Sequence, residues 1–263
     1  MNKYLVIGNP IEHSLSPKLH NFWFKKNNIN AVYEKQKLKE ADLKEFMIKI
    51  REKKLNGINV TVPFKKKVIP FLDQLTPQAY STKSVNTIYL ENDKLFGHNT
   101  DVDGFLFGIN NLNFDINGKK ILILGAGGVV PSIIFALKKI GASQIIISNR
   151  TEKKAEALKN LFDNLSIVKW GKLPDFDVII NATSIGLNKI DKINLDFSDV
   201  GINKFFYDVI YNPKETDFLK IGKKLGHTTS NGKLMFIYQA SEAFKIWHGI
   251  EPQINDEVIK LLD

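Results

Sequence analysis

Gly125-Ala126-Gly127-Gly128 directly follows the apolar run 121–124 and precedes a helical pattern over about 129–140 that Gly141 closes. A second apolar run, 145–147, then leads through Ser148 to Asn149-Arg150-Thr151. Strand, glycine turn, helix and strand in that order form the mononucleotide-binding unit of a doubly wound sheet. Gly125 permits the sharp turn off the strand, and Gly127 lets the backbone approach a pyrophosphate. The helix beginning near Val129 aims its N–H groups and positive dipole end at that anion. Val130 departs from the pattern, because a small residue ordinarily stands there. Pro131 is tolerable because it falls in the first helical turn.

The end of the second strand selects the cofactor. A carboxylate there suits the free ribose hydroxyl of NAD, whereas positive and hydroxyl groups suit the 2′-phosphate of NADP. Asn149, Arg150 and Thr151 stand at that end, with Lys153 and Lys154 behind them, and Arg150 is one of only two arginines in the chain. A guanidinium can fork onto a phosphate or stack on adenine in a way lysine cannot imitate. The residues point to NADP.

Other residues with chemical potential lie in the first hundred. Ser14 and Ser16 are spaced by two on a loop after a strand, and read either as cap and turn residues or as ligand contacts. Ser16 before Pro17 has the look of an N-cap. In 57–62 the apolar residues Ile58, Val60 and Val62 alternate, so Asn59 and Thr61 project together to the other side. Lys65 follows Pro63-Phe64 at an expected helix start, where a cation opposes the helix dipole. It is either solvated there or paired with a carboxylate or substrate. Asp101 stands where a helix N-cap would stand.

The elements that must position these residues form two sets. Strands are expected at 3–7, 31–37, 57–62 and 84–90, the last pairing with 95–98. Helices are expected from Ser16 to about 26, at 39–53 and at 102–111. Beyond the glycine turn, strands at 166–170, 177–180 and 205–210 and a helix at 215–225 complete a parallel sheet. Helices at 233–247 and 256–262 end the chain, the first able to return it to the N-terminal domain. The expected architecture is therefore α/β in two domains. Residues 1–100, completed by 237–263, make one α/β domain, and 101–236 make a Rossmann-like doubly wound nucleotide-binding domain.

Composition excludes several classes. The 263 residues contain no cysteine, so disulfides, thiolate metal sites and cysteine nucleophiles are out; no metal site is expected. With 43% hydrophobic residues the chain can build two cores. No apolar run reaches the roughly 18 residues a membrane span needs, and the start reads as a strand rather than a signal peptide, so the cytoplasm is the expected compartment. The net charge of +9 comes from lysines spread along the whole chain. Without interleaved aromatics this argues against nucleic-acid binding, and a basic surface suits an anionic substrate.

Taken together, Gly8-Asn9-Pro10, His13-Ser14-Leu15-Ser16-Pro17, Asn59-Val60-Thr61-Val62-Pro63-Phe64-Lys65, Ser84-Val85-Asn86-Thr87, Asn99-Thr100-Asp101, the glycine turn, Asn149-Arg150-Thr151, Asn181-Ala182-Thr183 and Gln239-Ala240 resemble the shikimate dehydrogenases nearly end to end. The resemblance implies NADP-dependent reduction of 3-dehydroshikimate to shikimate. It implies that the α/β domain of 1–100 and 237–263 is the substrate domain, and that Lys65 and Asp101 are a catalytic pair. Ser14 and Ser16 would hold the substrate carboxylate, with Asn59, Thr61, Asn86, Tyr211 and Gln239 lining the rest of that site. Gly125, Ala126, Gly127, Gly128, Val129, Asn149, Arg150, Thr151, Lys154, Val209 and Gly232 would contact the cofactor. Two rival readings are a quinate/shikimate dehydrogenase preferring NAD and a non-catalytic NADP-binding protein. The strand end without a carboxylate speaks against the first, and Lys65 with Asp101 against the second. Oligomeric state is open, with a homodimer as the expectation.

Overall fold

The computed structural model describes residues 1–112, 114–188 and 190–263. In chain order, the first elements are β1 (Asn2–Gly8), α1 (Ser16–Lys26), β2 (Ala31–Lys37), α2 (Leu43–Arg51), β3 (Gly57–Val60), β4 (Gln74–Leu75), α3 (Pro77–Thr82), β5 (Thr87–Glu91), β6 (Lys94–His98) and α4 (Asp101–Asn110). Then come β7 (Lys120–Leu124), α5 (Val130–Ile140), β8 (Gln144–Ser148), α6 (Glu152–Leu161), β9 (Leu165–Val168), β10 (Val178–Asn181), β11 (Phe205–Asp208), α7 (Asp217–Lys224), β12 (Thr228–Asn231), α8 (Lys233–His248) and α9 (Asp256–Leu261).

The chain divides into two compact units: Met1–Gly104 with Ile237–Asp263, and Phe105–Phe236. The first holds a mixed sheet in the order β2-β1-β3-β5-β6-β4. One side of it packs Ile7, Ile58, Val60 and Ile88 against Leu43, Met47 and Ile50 of α2. This is the apolar side of the Ile58/Val60 alternation, which leaves Asn59 on the opposite one. That opposite side meets an aromatic group in which the His20 ring stacks on Tyr33 at 4.3 Å, with Trp23, Phe244 and Trp247 around it. Full burial lowers the His20 pKa to about 3, so this histidine is a neutral packing group. Gly57 is required here: a Cβ on it would lie 2.4 Å from Trp247 Nε1. Through this contact α8 returns the chain to the N-terminal sheet.

The second unit holds an all-parallel sheet in the order β12-β11-β10-β7-β8-β9. Read from β9, the strands run third, second, first, fourth, fifth, sixth, which is the doubly wound order with its reversal between β7 and β10. Ligands of such sheets bind beyond the carboxyl ends of the strands at that reversal. Val130, the departure from the glycine pattern, is fully buried at the start of α5.

Three local expectations need correction. No α-helix starts at Lys65; residues 65–68 are turns that tighten into a 3-10 segment at Ile69–Phe71. Pro70 can donate no backbone hydrogen bond and limits the run to this short form, so the dipole argument about Lys65 falls away. Ser16 is not the N-cap of α1, which is Leu15 without a side-chain cap bond. The expected helix over 39–53 is a 3-10 turn at Glu40–Asp42 followed by the shorter α2. Elements β4, α3 and β12 were not expected at all.

Candidate active site

In the first unit the candidate residues are built from strand ends. Residues 58–59 of β3 pair antiparallel with 87–88 of β5, and the Val60 N–H continues the pairing to the Asn86 carbonyl at 2.8 Å. The Lys65 carbonyl accepts from Val85 N–H at 2.9 Å, which anchors the turn carrying Lys65 beside the same strand. Its ammonium binds Asp101 Oδ2, and the two residues are only 9% and 6% exposed. Asn86 Nδ2 donates to the other carboxylate oxygen, Asp101 Oδ1, at 2.9 Å. Each oxygen of Asp101 thus has its own donor, and the carboxylate faces into this network rather than capping α4.

The network extends inward. Asn86 Nδ2 also donates to Thr100 Oγ1 at 2.9 Å, and Asn86 Oδ1 accepts from Thr100 N–H at 2.8 Å. Asn59 Nδ2 donates to the Asn86 carbonyl and to Thr87 Oγ1, both at 3.0 Å, while its Oδ1 accepts from the Tyr33 hydroxyl at 2.7 Å. Both amide hydrogens of Asn59 and of Asn86 are therefore used inside the protein. Lys65 differs: an ammonium has three hydrogens, and one bond to Asp101 leaves two for another acceptor. A buried network is favourable only when its members are satisfied, and this one ends at a cation with hydrogens to spare.

Ser14 and Ser16 form a separate pair, with the Ser14 hydroxyl accepting from Ser16 N–H at 3.3 Å and donating to Ser16 Oγ at 3.3 Å. Ser16 is buried, Ser14 half-buried. Thr61 and Gln239 are half-buried, the first close enough to β1 that a Cβ on Gly8 would lie 2.5 Å from its methyl group.

The second unit gathers the other candidates at two places. At the sheet reversal, Gly125 has φ +111°, and a Cβ there would lie 2.8 Å from the Ala182 carbonyl beyond β10. Gly127 is open by contrast, since a Cβ on it would come no nearer than 3.8 Å to the Ala182 carbonyl oxygen. Val129, the N-cap of α5, supplies no side-chain cap bond. Asn149 is half-buried, while Arg150 and Thr151, which lead from β8 to α6, and Lys154 in the first turn of α6 are exposed. Arg150 and Lys154 form no ion pair among the described residues. An uncapped helix start, an open glycine backbone and an unpaired guanidinium are the donors a dinucleotide with a 2′-phosphate needs; these residues fit NADP. At the second place, Gly232 sits so close to Val209 that a Cβ would meet its carbonyl oxygen at 2.2 Å. Tyr211 is half-buried and stacks on Phe236 at 4.3 Å.

Tyr33, Thr87 and Thr100 hold the site residues, yet sequence reasoning assigned them no role. Only strand pairing across 26 or more residues reveals Tyr33 beside Asn59. Asp208 was missed altogether. It is a fully buried carboxylate without a local motif around it.

The family model for the shikimate dehydrogenase substrate binding domain matches residues 6–88, and the model for shikimate / quinate 5-dehydrogenase matches residues 109–207. The shikimate dehydrogenase (NADP(+)) of Pelagibacter ubique is 56% identical over 99% of this chain and 98% of that protein. That of Staphylococcus haemolyticus is 39% identical, covering 96% and 94%. Among solved structures, shikimate dehydrogenase from Aquifex aeolicus is 37% identical with a TM-score of 0.90, covering 100% of this chain and 97% of that one. Shikimate 5-dehydrogenase from Thermus thermophilus, solved with NADP(H) and shikimate, is 30% identical with a TM-score of 0.90, covering 100% and 98%. By sequence over its whole length and by fold in both units, the chain belongs to the shikimate dehydrogenase family.

Proposed function

We propose that this chain reduces 3-dehydroshikimate to shikimate with NADPH, reversibly, as a step of chorismate and aromatic amino-acid biosynthesis. The buried Lys65–Asp101 pair is the observation that carries the reading. A binding protein has no use for an ion pair whose cation keeps two hydrogens for an outside acceptor. When bound, NADPH supplies a hydride to C3 of the ketone. Lys65 gives one proton to the C3 oxygen, so hydride plus proton complete the alcohol, and the reverse reaction returns the proton to Lys65. Asp101 holds the ammonium at that atom, and Asn86 holds Asp101.

Ser14 and Ser16 bind the substrate carboxylate, while Thr61, Tyr211, Gln239 and the one acceptor position left on Asn59 orient the ring; Asn86, whose side-chain oxygen is taken up by Thr87 and Thr100, serves the site by holding Asp101. The N-terminal unit with its C-terminal helices is the substrate domain, and the central unit binds NADP through 125–129, Asn149, Arg150, Thr151, Lys154, Val209 and Gly232. The enzyme works in the cytoplasm as a homodimer, which analytical sedimentation reads directly. No helix among the described residues is long and apolar enough to cross a membrane.

The deciding experiment follows nicotinamide absorbance with shikimate or quinate crossed against NADP⁺ or NAD⁺. Turnover is expected with shikimate and NADP⁺. Its absence with that pair, in protein that binds NADP⁺, would reject the reading.

A further inference from the structure

Asp208 ends β11 with no solvent exposure and no ion pair among the described residues. Its hydrogen-bond partners are all donors. Oδ1 accepts from Ile210 N–H at 2.9 Å, Oδ2 accepts from the Thr216 hydroxyl at 2.6 Å, and Asn181 Nδ2 lies 3.1 Å from both oxygens. Each partner governs a different stretch of chain. Asn181 also accepts from Thr183 N–H and hydroxyl, at 3.1 and 2.7 Å, and its carbonyl accepts from Val209 N–H at 3.0 Å. Thr216 caps α7 by accepting from Leu219 N–H. The Ile210 carbonyl accepts from Gly232 N–H at 3.3 Å. One carboxylate therefore joins the loop after β10, the segment Val209–Tyr211, and the start of α7.

We propose that the ionised Asp208 carboxylate is a positioning residue of the dehydrogenase reaction: by holding Ile210 N–H and Asn181 it sets Val209 and Tyr211 in their binding geometry, so that cofactor affinity depends on its charge. The inference rests on the functional reading above for the roles of Val209 and Tyr211. A carboxylate offers acceptors only, which suits three donors; an acid or an amide brings hydrogens that must face one of them. Burial raises the Asp208 pKa to about 6, against the three hydrogen bonds that favour the ionised form. Its surroundings do not offset this with charge. Asn181 of β10 and Asn231 of β12 lie across from it in register and are neutral. The start of α7 presents Thr216 between Glu215, which is exposed, and Asp217, which is half-exposed. Tyr207 beside it is a fully buried phenol whose pKa burial and Asp208 push up, so it stays neutral.

The test is the NADP⁺ dissociation constant by calorimetry, for the native protein and Asp208→Asn, from about pH 5 to about pH 8. The ratio of the two constants is the readout, because titration of the cofactor phosphate cancels in it. At the upper end the variant should bind about tenfold more weakly, the scale of one hydrogen bond to a charged group. Towards the lower end the ratio should approach one, since the native carboxyl is then protonated too. A ratio of one throughout, or a penalty independent of pH, overturns the proposal; a merely structural role would give the latter. Should the variant not fold, the Ile210 amide resonance of native ¹⁵N-labelled protein without cofactor decides instead. It should shift with an inflection near the Asp208 pKa, and a flat profile overturns the proposal. A pH-dependent ratio in a protein without shikimate turnover would leave Asp208 in its role and reject the functional reading alone.

Discussion

Asn86 and Asp101 are joined by a 2.9 Å bond from Nδ2 to Oδ1, while Lys65 binds the opposite oxygen. The amide cannot turn freely, because Thr100 N–H donates to its Oδ1 and its Nδ2 also donates to Thr100 Oγ1. A fixed amide fixes the carboxylate, and a fixed carboxylate fixes the ammonium. Such second-layer support is what holds a reacting group within a fraction of an ångström of its productive position.

Lys65→Ala should lower kcat by about 10²–10⁴, the usual worth of a general acid–base group, with a much smaller change in shikimate KM and none in NADP⁺ affinity. Asp101→Asn should also lower kcat. Because the two act as one unit, the double variant should be little worse than Lys65→Ala alone. Steady-state kinetics on folded protein checks this, and multiplicative losses would mean independent roles.

Asn86→Ala tests the support directly. It leaves buried Thr100 N–H and Asp101 Oδ1 without their partner, which should cost about 1–3 kcal/mol of stability. It should reduce kcat less than Asp101→Asn does, since Lys65 and Asp101 still pair. Urea unfolding with parallel kinetics measures both; unchanged kcat with lost stability would make Asn86 a structural residue only.

In the proposed reading Arg150 carries the cofactor preference. Arg150→Ala should weaken the apparent binding of NADP⁺ by roughly 1.5–3 kcal/mol, the range for a hydrogen bond to a charged group, and barely alter NAD⁺ kinetics. Equal losses with both cofactors would assign the guanidinium to adenine stacking.

Ser14→Ala and Ser16→Ala should raise shikimate KM while leaving NADP⁺ affinity intact. Leu15, not Ser16, is the N-cap of α1, so Ser16→Ala should not show the ~1 kcal/mol loss of a removed cap. A thermal scan separates the two roles: a lowered Tm with normal KM would end the carboxylate-binding assignment.

Stability at acid pH should respond to Asp73. Its carboxylate, bound by Arg51 and then by Leu95 N–H, has its pKa lowered from 3.8 to about 2. A depressed folded-state value means stability that is present above 3.8 and lost as pH falls through about 2. Asp208 has the opposite sign. Raised to about 6, it contributes stability that is present below 3.8 and lost as pH rises through about 6. Asp73→Asn should therefore flatten the acid side of a urea-midpoint profile, and Asp208→Asn should flatten the segment between about pH 4 and 6. The effect of Asp73 should be small, because it lies at the surface. Profiles that do not change would refute the linkage.

The glycine turn, α5 and the cofactor preference were legible because each is local. Gly125 needs its backbone conformation, the apolar runs need strands, and Asn149-Arg150-Thr151 follows one of those strands directly. The hairpin from β5 to β6 was legible for the same reason, with Asn92 and Asp93 both at positive φ in its turn. Local signals failed where two conformations compete at short range. Lys65-Lys66-Lys67 looks helical until Pro70 limits it, and Ser16 before Pro17 looks like a cap until the chain places Leu15 there.

The residue types alone therefore determined the doubly wound nucleotide unit, the absence of cysteine chemistry and, through resemblance, the family. Tertiary structure decided what each polar side chain faces. Lys65 meets Asp101 across 36 positions, Asn59 meets Tyr33 across 26, and Asp208 meets Asn181 across 27. The physical reason is burial. A buried charge or amide must find its partners wherever the fold brings a donor or acceptor, and sheet pairing sets those neighbours by register between strands far apart in the chain. No periodicity within one segment carries that information.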